Sequence, residues 1–205
     1  MTKQELTQII SKYVPEGTAE MCVNLLITHK IQLKLTKPRT SKYGDYRAPH
    51  KLDSKHRISV NSNLNPYSFI TTFLHEVAHL TTFEKHKNRC APHGKEWKQE
   101  FKNFLEPLIQ HHQLPDDVSV ALKNYMMDPS ASSCSDKELT KVLSRYDKDD
   151  KVLLEEIVVG TVFRVDTGKV FKKGNKLRTW FQCIEVTTGK VYKVSGVCKV
   201  FVVEG

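Results

Sequence analysis

Residues 65–83 read NPYSFITTFLHEVAHLTTF, and the rest of the chain is arranged around them. Asn65 is a natural N-cap and Pro66 suits the first helical position, so a helix starts here. Phe69, Ile70, Phe73, Leu74, Val77, Ala78, Leu80 and Phe83 cover most of its circumference, the pattern of a buried helix. A narrow polar strip is left, holding Ser68, Thr72, His75, His79 and, at its edge, Glu76. Residues four apart lie one above the other on a helix, so the two imidazoles can share one metal ion. Glu76, one step round, falls beside such an ion rather than on it, where a general base belongs. A chance occurrence of this spacing is expected roughly 0.02 times in a chain of this composition. Burying two histidines and a glutamate without a metal would also be costly.

A catalytic zinc commonly takes three protein ligands and leaves one position for water. In the longer pattern H-E-x-x-H-x-x-G-x-x-H the third histidine would fall on Lys85 and the glycine on Thr82, so that pattern is absent. His86 lies in a charged run, 84–89, which reads as a solvated loop. His93, in APHGKEW (91–97), is the better candidate. Pro92 stops what precedes it, and a new helix begins near His93, with Trp97, Phe101, Phe104, Leu105 and Leu108 on one apolar stripe. Pro107 is expected to kink or end that helix. In the first turn, the positive end of the helix dipole would favour the neutral imidazole that a metal requires. Gly94 leaves room for close approach, and a merely capping histidine is the alternative.

Upstream, residues 3–12 and 18–30 read as helices separated by Pro15 and Gly17. Residues 31–37 alternate apolar and polar as a half-buried strand does, and 56–61 alternate again. Between them 40–49 is rich in turn formers and reads as a hairpin tip. The order helix, strand, turn, strand, helix gives an α+β fold with a small sheet against the central helix. An open strand edge beside the metal would let an extended peptide pair by main-chain hydrogen bonds.

H-E-x-x-H followed by P-H-G-x-E-W at the head of a second helix resembles the SprT-like family, which includes the Spartan proteases. The resemblance spans roughly residues 5–110. It implies a zincin-like metallopeptidase domain holding one catalytic Zn2+, with His75, His79 and His93 as ligands and Glu76 as the base. It also implies cleavage of proteins crosslinked to DNA. Lys85, Lys87 and Arg89 lie between the histidine pair and His93, where they meet either phosphates or only solvent. A second donor for the developing oxyanion is expected, with Tyr43, Tyr46, Arg47 and His56 as the possibilities. Many family members end in a zinc ribbon built on two cysteine pairs. Here Cys183 and Cys198 are single, so that ribbon is missing or replaced.

The organisation expected is a metallopeptidase domain over 1–127, a linker with a short helix over 128–151, and a small β domain over 152–205. That helix, within Ser135–Tyr146, turns Leu139, Val142 and Leu143 inward, with Ser135 or Asp136 as its cap. After Ile157 short strands alternate with turns at 166–168, 173–175, 187–189 and 195–196, the texture of an antiparallel sheet or partly closed barrel. Residues 151–205 hold 10 Lys+Arg against 5 Asp+Glu, interleaved with aromatics such as Phe171, Trp180 and Tyr192. That mixture suits either single-stranded nucleic acid or an ordinary core with a basic surface.

The formal net charge of +9 favours acidic partners, DNA foremost beside the protein substrate, with a solvated basic surface as the alternative. No run approaches a membrane span and no secretory leader is visible. Five scattered cysteines without a C-x-x-C pair fit a soluble protein of the reducing cytoplasm. The function expected is a zinc-dependent endopeptidase of SprT-like type acting on DNA-bound or DNA-crosslinked proteins. The rivals are a nucleic-acid-binding protein with a structural or vestigial metal site, and a metallopeptidase with no connection to DNA.

Overall fold

The computed structural model describes residues 2–39, 42–50, 55–111, 113–127 and 136–203. The chain divides into two units, Met1–Asp147 and Lys148–Gly205. The first opens with helices α1 (Lys3–Ile10) and α2 (Ala19–Thr28). Strands β1 (Ile31–Thr36), β2 (Gly44–Arg47) and β3 (His56–Asn61) follow, in the sheet order β1-β3-β2. β1 runs parallel to β3, and β2 runs antiparallel to it. The stretch 40–49, read as a hairpin tip, therefore contains an outer strand, and the two strands around it are parallel. Four residues including Gly44 and Asp45 are too short and too turn-like to display a strand's period. Residues 40 and 41 lie outside the described residues.

Alternation sorts the two faces of this sheet. Ile58 and Val60 are buried beneath α3 (Pro66–His86), whereas Arg57 and Ser59 turn the other way. Asn65 caps α3, accepting from the N–H groups of Tyr67 and Ser68 at 3.1 and 2.9 Å. α3 continues one turn past Phe83, so residues 84–86 are helical rather than loop. Lys85 and His86 sit in that last turn, where cations suit the negative end of the helix dipole.

Three further helices complete the unit: α4 (Lys95–Gln110), α5 (Asp116–Met127) and α6 (Lys137–Ser144). Pro107 lies in the final turn of α4 and does not end it. α5 went unread in the sequence, although Val118, Ala121, Leu122 and Tyr125 repeat at helical spacing and are buried. α6 is not part of a linker: Leu139 and Leu143 are buried in the same core as α3. Asp136 caps it, accepting from Leu139 N–H at 2.8 Å. The side-chain amide of Asn65 donates to Leu143 O at 2.9 Å and to Asp147 Oδ1 at 2.7 Å, which fastens the end of α6 to the start of α3.

The second unit is an antiparallel sheet of six strands, β4 (Val152–Leu153), β5 (Val162–Arg164), β6 (Val170–Leu177), β7 (Trp180–Glu185), β8 (Val191–Ser195) and β9 (Lys199–Val202). Their order is β4-β9-β5-β6-β7-β8. Leu154, Phe163, Phe171, Phe181, Cys183 and Val200 form its core. Residues 173–175, read as a turn, instead form an irregularity inside β6, where the register with β7 shifts between Lys173 and Lys176. Gly174 permits it, since a Cβ there would lie 2.5 Å from Gln182 O. The four described cysteines are free, and no described helix is long and apolar enough to cross a membrane.

Candidate metal centre

Helical spacing stacks His75 over His79 on α3, with ring centroids 5.0 Å apart. His93 reaches them from a tight turn in which Gly94 N–H donates to Ala91 O at 2.9 Å. Gly94 caps α4, so His93 precedes that helix instead of lying in its first turn. Its φ of 58° is in the left-handed region, which costs a non-glycine residue about 1–2 kcal/mol. Histidine is among the residues that enter this region most readily. The salt bridge from Lys85 to Glu100, at 2.6 Å, ties α3 to α4 across the segment that carries His93. Lys85 therefore serves the fold, and the Lys87 ammonium lies 5.0 Å from the centre of the Phe83 ring.

The three imidazoles offer one nitrogen each within 4.8 Å of one another, the arrangement that can hold a metal ion. Nε2 of His93 and Nε2 of His75 stand 3.3 Å apart. A tetrahedral ion about 2.05 Å from each nitrogen would separate two ligands by about 3.3 Å, so this pair is already at coordinating distance. Burial, then the neighbouring imidazoles, push His75 down to about 3. Burial and His93 push His79 down to about 4, and burial lowers His93 as well. All three rings are accordingly neutral at pH 7, with lone pairs available, as ligation requires. Nδ1 of His75 is buried without a hydrogen-bond partner among the described residues.

Trp97 is the residue that sequence reasoning missed. It appeared as one member of an apolar stripe, yet its ring centre lies 4.6, 5.3 and 4.7 Å from those of His75, His79 and His93. Its indole N–H points at His75 O, 3.4 Å away. It is the wall against which the three imidazoles are held, and its position four residues after His93 was the available signal.

Glu76 is 7 % exposed and faces β2. The N–H of Tyr46 donates to its carboxylate, and burial, followed by the charge of Asp45, pushes it up to about 8. Gly44 is required here by space, because a Cβ would come 2.5 Å from Glu76 Oε1. Asn61 N–H donates to Tyr43 O, so by antiparallel alternation Gly44 and Tyr46 turn their main-chain groups away from β3, toward Glu76.

Of the residues considered as a second donor, Tyr46 lies against the site, its ring parallel to that of His79 at 6.5 Å. Its hydroxyl is engaged 2.9 Å from Nδ1 of His56, which in turn has Nε2 3.6 Å from Glu84. Arg47 is on the opposite face of the sheet, where it pairs with Asp45 at 3.0 Å. His86 closes α3 and is not one of the three clustered histidines.

The SprT-like family model matches residues 4–118, which include α3, the turn bearing His93 and all of α4. No curated protein and no solved structure matches the chain.

Proposed function

This chain belongs to the SprT-like family, and on that premise we propose that it is a zinc-dependent endopeptidase of zincin-like fold acting on proteins bound or crosslinked to DNA. The observation that carries the reading is three neutral imidazoles converging within 4.8 Å of one another, one pair already at coordinating distance, with a buried carboxylate one residue from the first. A zinc ion held there supplies the Lewis acid that polarises a scissile carbonyl and acidifies the attacking water.

His75, His79 and His93 would be its ligands, leaving a position for water. Glu76 takes the proton from that water and returns it to the leaving amine. The Tyr46 N–H holds the carboxylate in place through both steps, and the charge of a bound zinc ion would favour the ionised form that accepts the proton. Trp97 and Phe101 keep the ligand side apolar. β2 is an edge strand whose outward main-chain groups lie beside Glu76, so an extended substrate has a strand to pair with next to the base.

A purely structural zinc has no use for a buried base at its side, which weighs against the binding-protein alternative. The association with DNA is supported by the +9 charge. It is tested by cleavage of a basic DNA-binding protein with and without single-stranded DNA, in wild type and Glu76→Gln. Stimulated cleavage that the variant lacks is the expected result. Cleavage indifferent to DNA would discard the crosslink role and leave the peptidase.

A further inference from the structure

The face of the sheet turned away from α3 carries charge that the peptidase chemistry does not use. Lys34, Arg39, Arg47 and Arg57 line a groove of about 670 Å³ there, and Asp45 is the one carboxylate among its described lining residues. Arg47 and Arg57 stand directly opposite each other in the β2–β3 pairing.

Arg39 is fixed by three neutral acceptors, Asn61 Oδ1 at 2.8 Å, Ser59 Oγ at 3.2 Å and Tyr43 O at 3.3 Å. Those bonds orient the guanidinium without cancelling its charge. Asp45 is itself shared, between Lys42 at 2.6 Å and Arg47 at 3.0 Å. The groove thus presents four cations to one carboxylate, with the Arg39 guanidinium already oriented, a surface complementary to an anionic chain. Guanidinium forks match phosphate oxygens two at a time. The described lining contains no aromatic ring on which a base would stack.

We propose that this groove binds the phosphate backbone of a nucleic acid without regard to sequence. The proposal rests on the DNA-associated reading above and gives it a surface. β2 serves both faces, with Asp45 and Arg47 on the groove and Gly44 and Tyr46 against Glu76. A protein attached to the bound strand would therefore be held close to the base.

The test is fluorescence anisotropy of a short labelled DNA strand over a salt series, with the full chain and with Arg47→Gln/Arg57→Gln. The variant should bind about tenfold more weakly, with a salt slope lower by about 2. Its melting transition should remain cooperative, which shows that the loss is one of binding and not of the fold. Unchanged affinity and slope would place binding elsewhere and overturn the proposal. Competition by polyglutamate equal to that of DNA would overturn it also. Cleavage of an unfolded protein without DNA should match wild type in this variant. If the intact chain binds no DNA, the groove and the DNA association fall together, while that DNA-free assay judges the peptidase independently.

Discussion

Gly44 and Glu76 belong to one contact. An alanine at 44 would push its methyl to 2.5 Å from Glu76 Oε1 and 2.7 Å from Thr72 Cγ2. Gly44→Ala should therefore displace the carboxylate and cost about 1–3 kcal/mol of stability, as overpacking does. A urea titration beside a cleavage assay checks it, and wild-type values in both would refute the contact. Protonation gives a second prediction, for protein stripped of metal by a chelator. His75 and His79 lie below their ordinary values, so between about 4 and 6.5 the unfolded chain binds protons that the native one refuses. Their contribution to stability is therefore present above pH 6.5 and lost as pH falls through that window. Glu76 has the opposite sign: raised to about 8, it favours the native state at low pH and loses that contribution as pH rises from 4.5 to 8. Metal-free Glu76→Gln should then exceed wild type by on the order of 1–3 kcal/mol near pH 8 and by almost nothing near pH 4. Thermal melts at the two pH values decide this. At this scale the histidines were legible because ligation imposes a spacing, whereas Trp97 was hidden, since an indole walling a site and one filling a core obey the same periodicity.

Asn65 shows what a single residue does for an element. Its carbonyl oxygen caps α3, and its amide holds Leu143 O and Asp147. Asn65→Ala removes both and should lower unfolding free energy by about 1–2 kcal/mol. A urea midpoint unmoved from wild type would contradict that account. The cap, Pro66 and the apolar sweep made α3 readable in advance. β2 was not, because its identity comes from pairing with β3 rather than from its own residues. The parallel arrangement of β1 and β3 was hidden for the same reason: alternation reveals a strand's faces and says nothing of its neighbour's direction. His93 shows a third kind of gap, a left-handed residue ahead of the helix cap where spacing alone suggested the first helical turn.

At the scale of the molecule the family match, the three histidines and Glu76 all lie in the first unit. Residues 1–147 expressed alone should fold cooperatively and bind one metal ion as the full chain does, by calorimetric zinc titration. Truncation at 127 should not, because it removes Leu139 and Leu143 from the core. The second unit was legible as β structure from its short strands and turns, while the continuity of β6 through Gly174 was not, since glycine marks a turn and a bulge alike. The central claim concerns the first unit, and it comes down to Glu76. The measurement is the cleavage rate of an unfolded protein by zinc-loaded wild type and Glu76→Gln, with bound zinc determined in the same samples. The account predicts equal zinc, one ion per chain, and a rate in the variant lower by about 10²–10⁴, the range of a lost general base. Equal rates, or zinc lost along with activity, would contradict it.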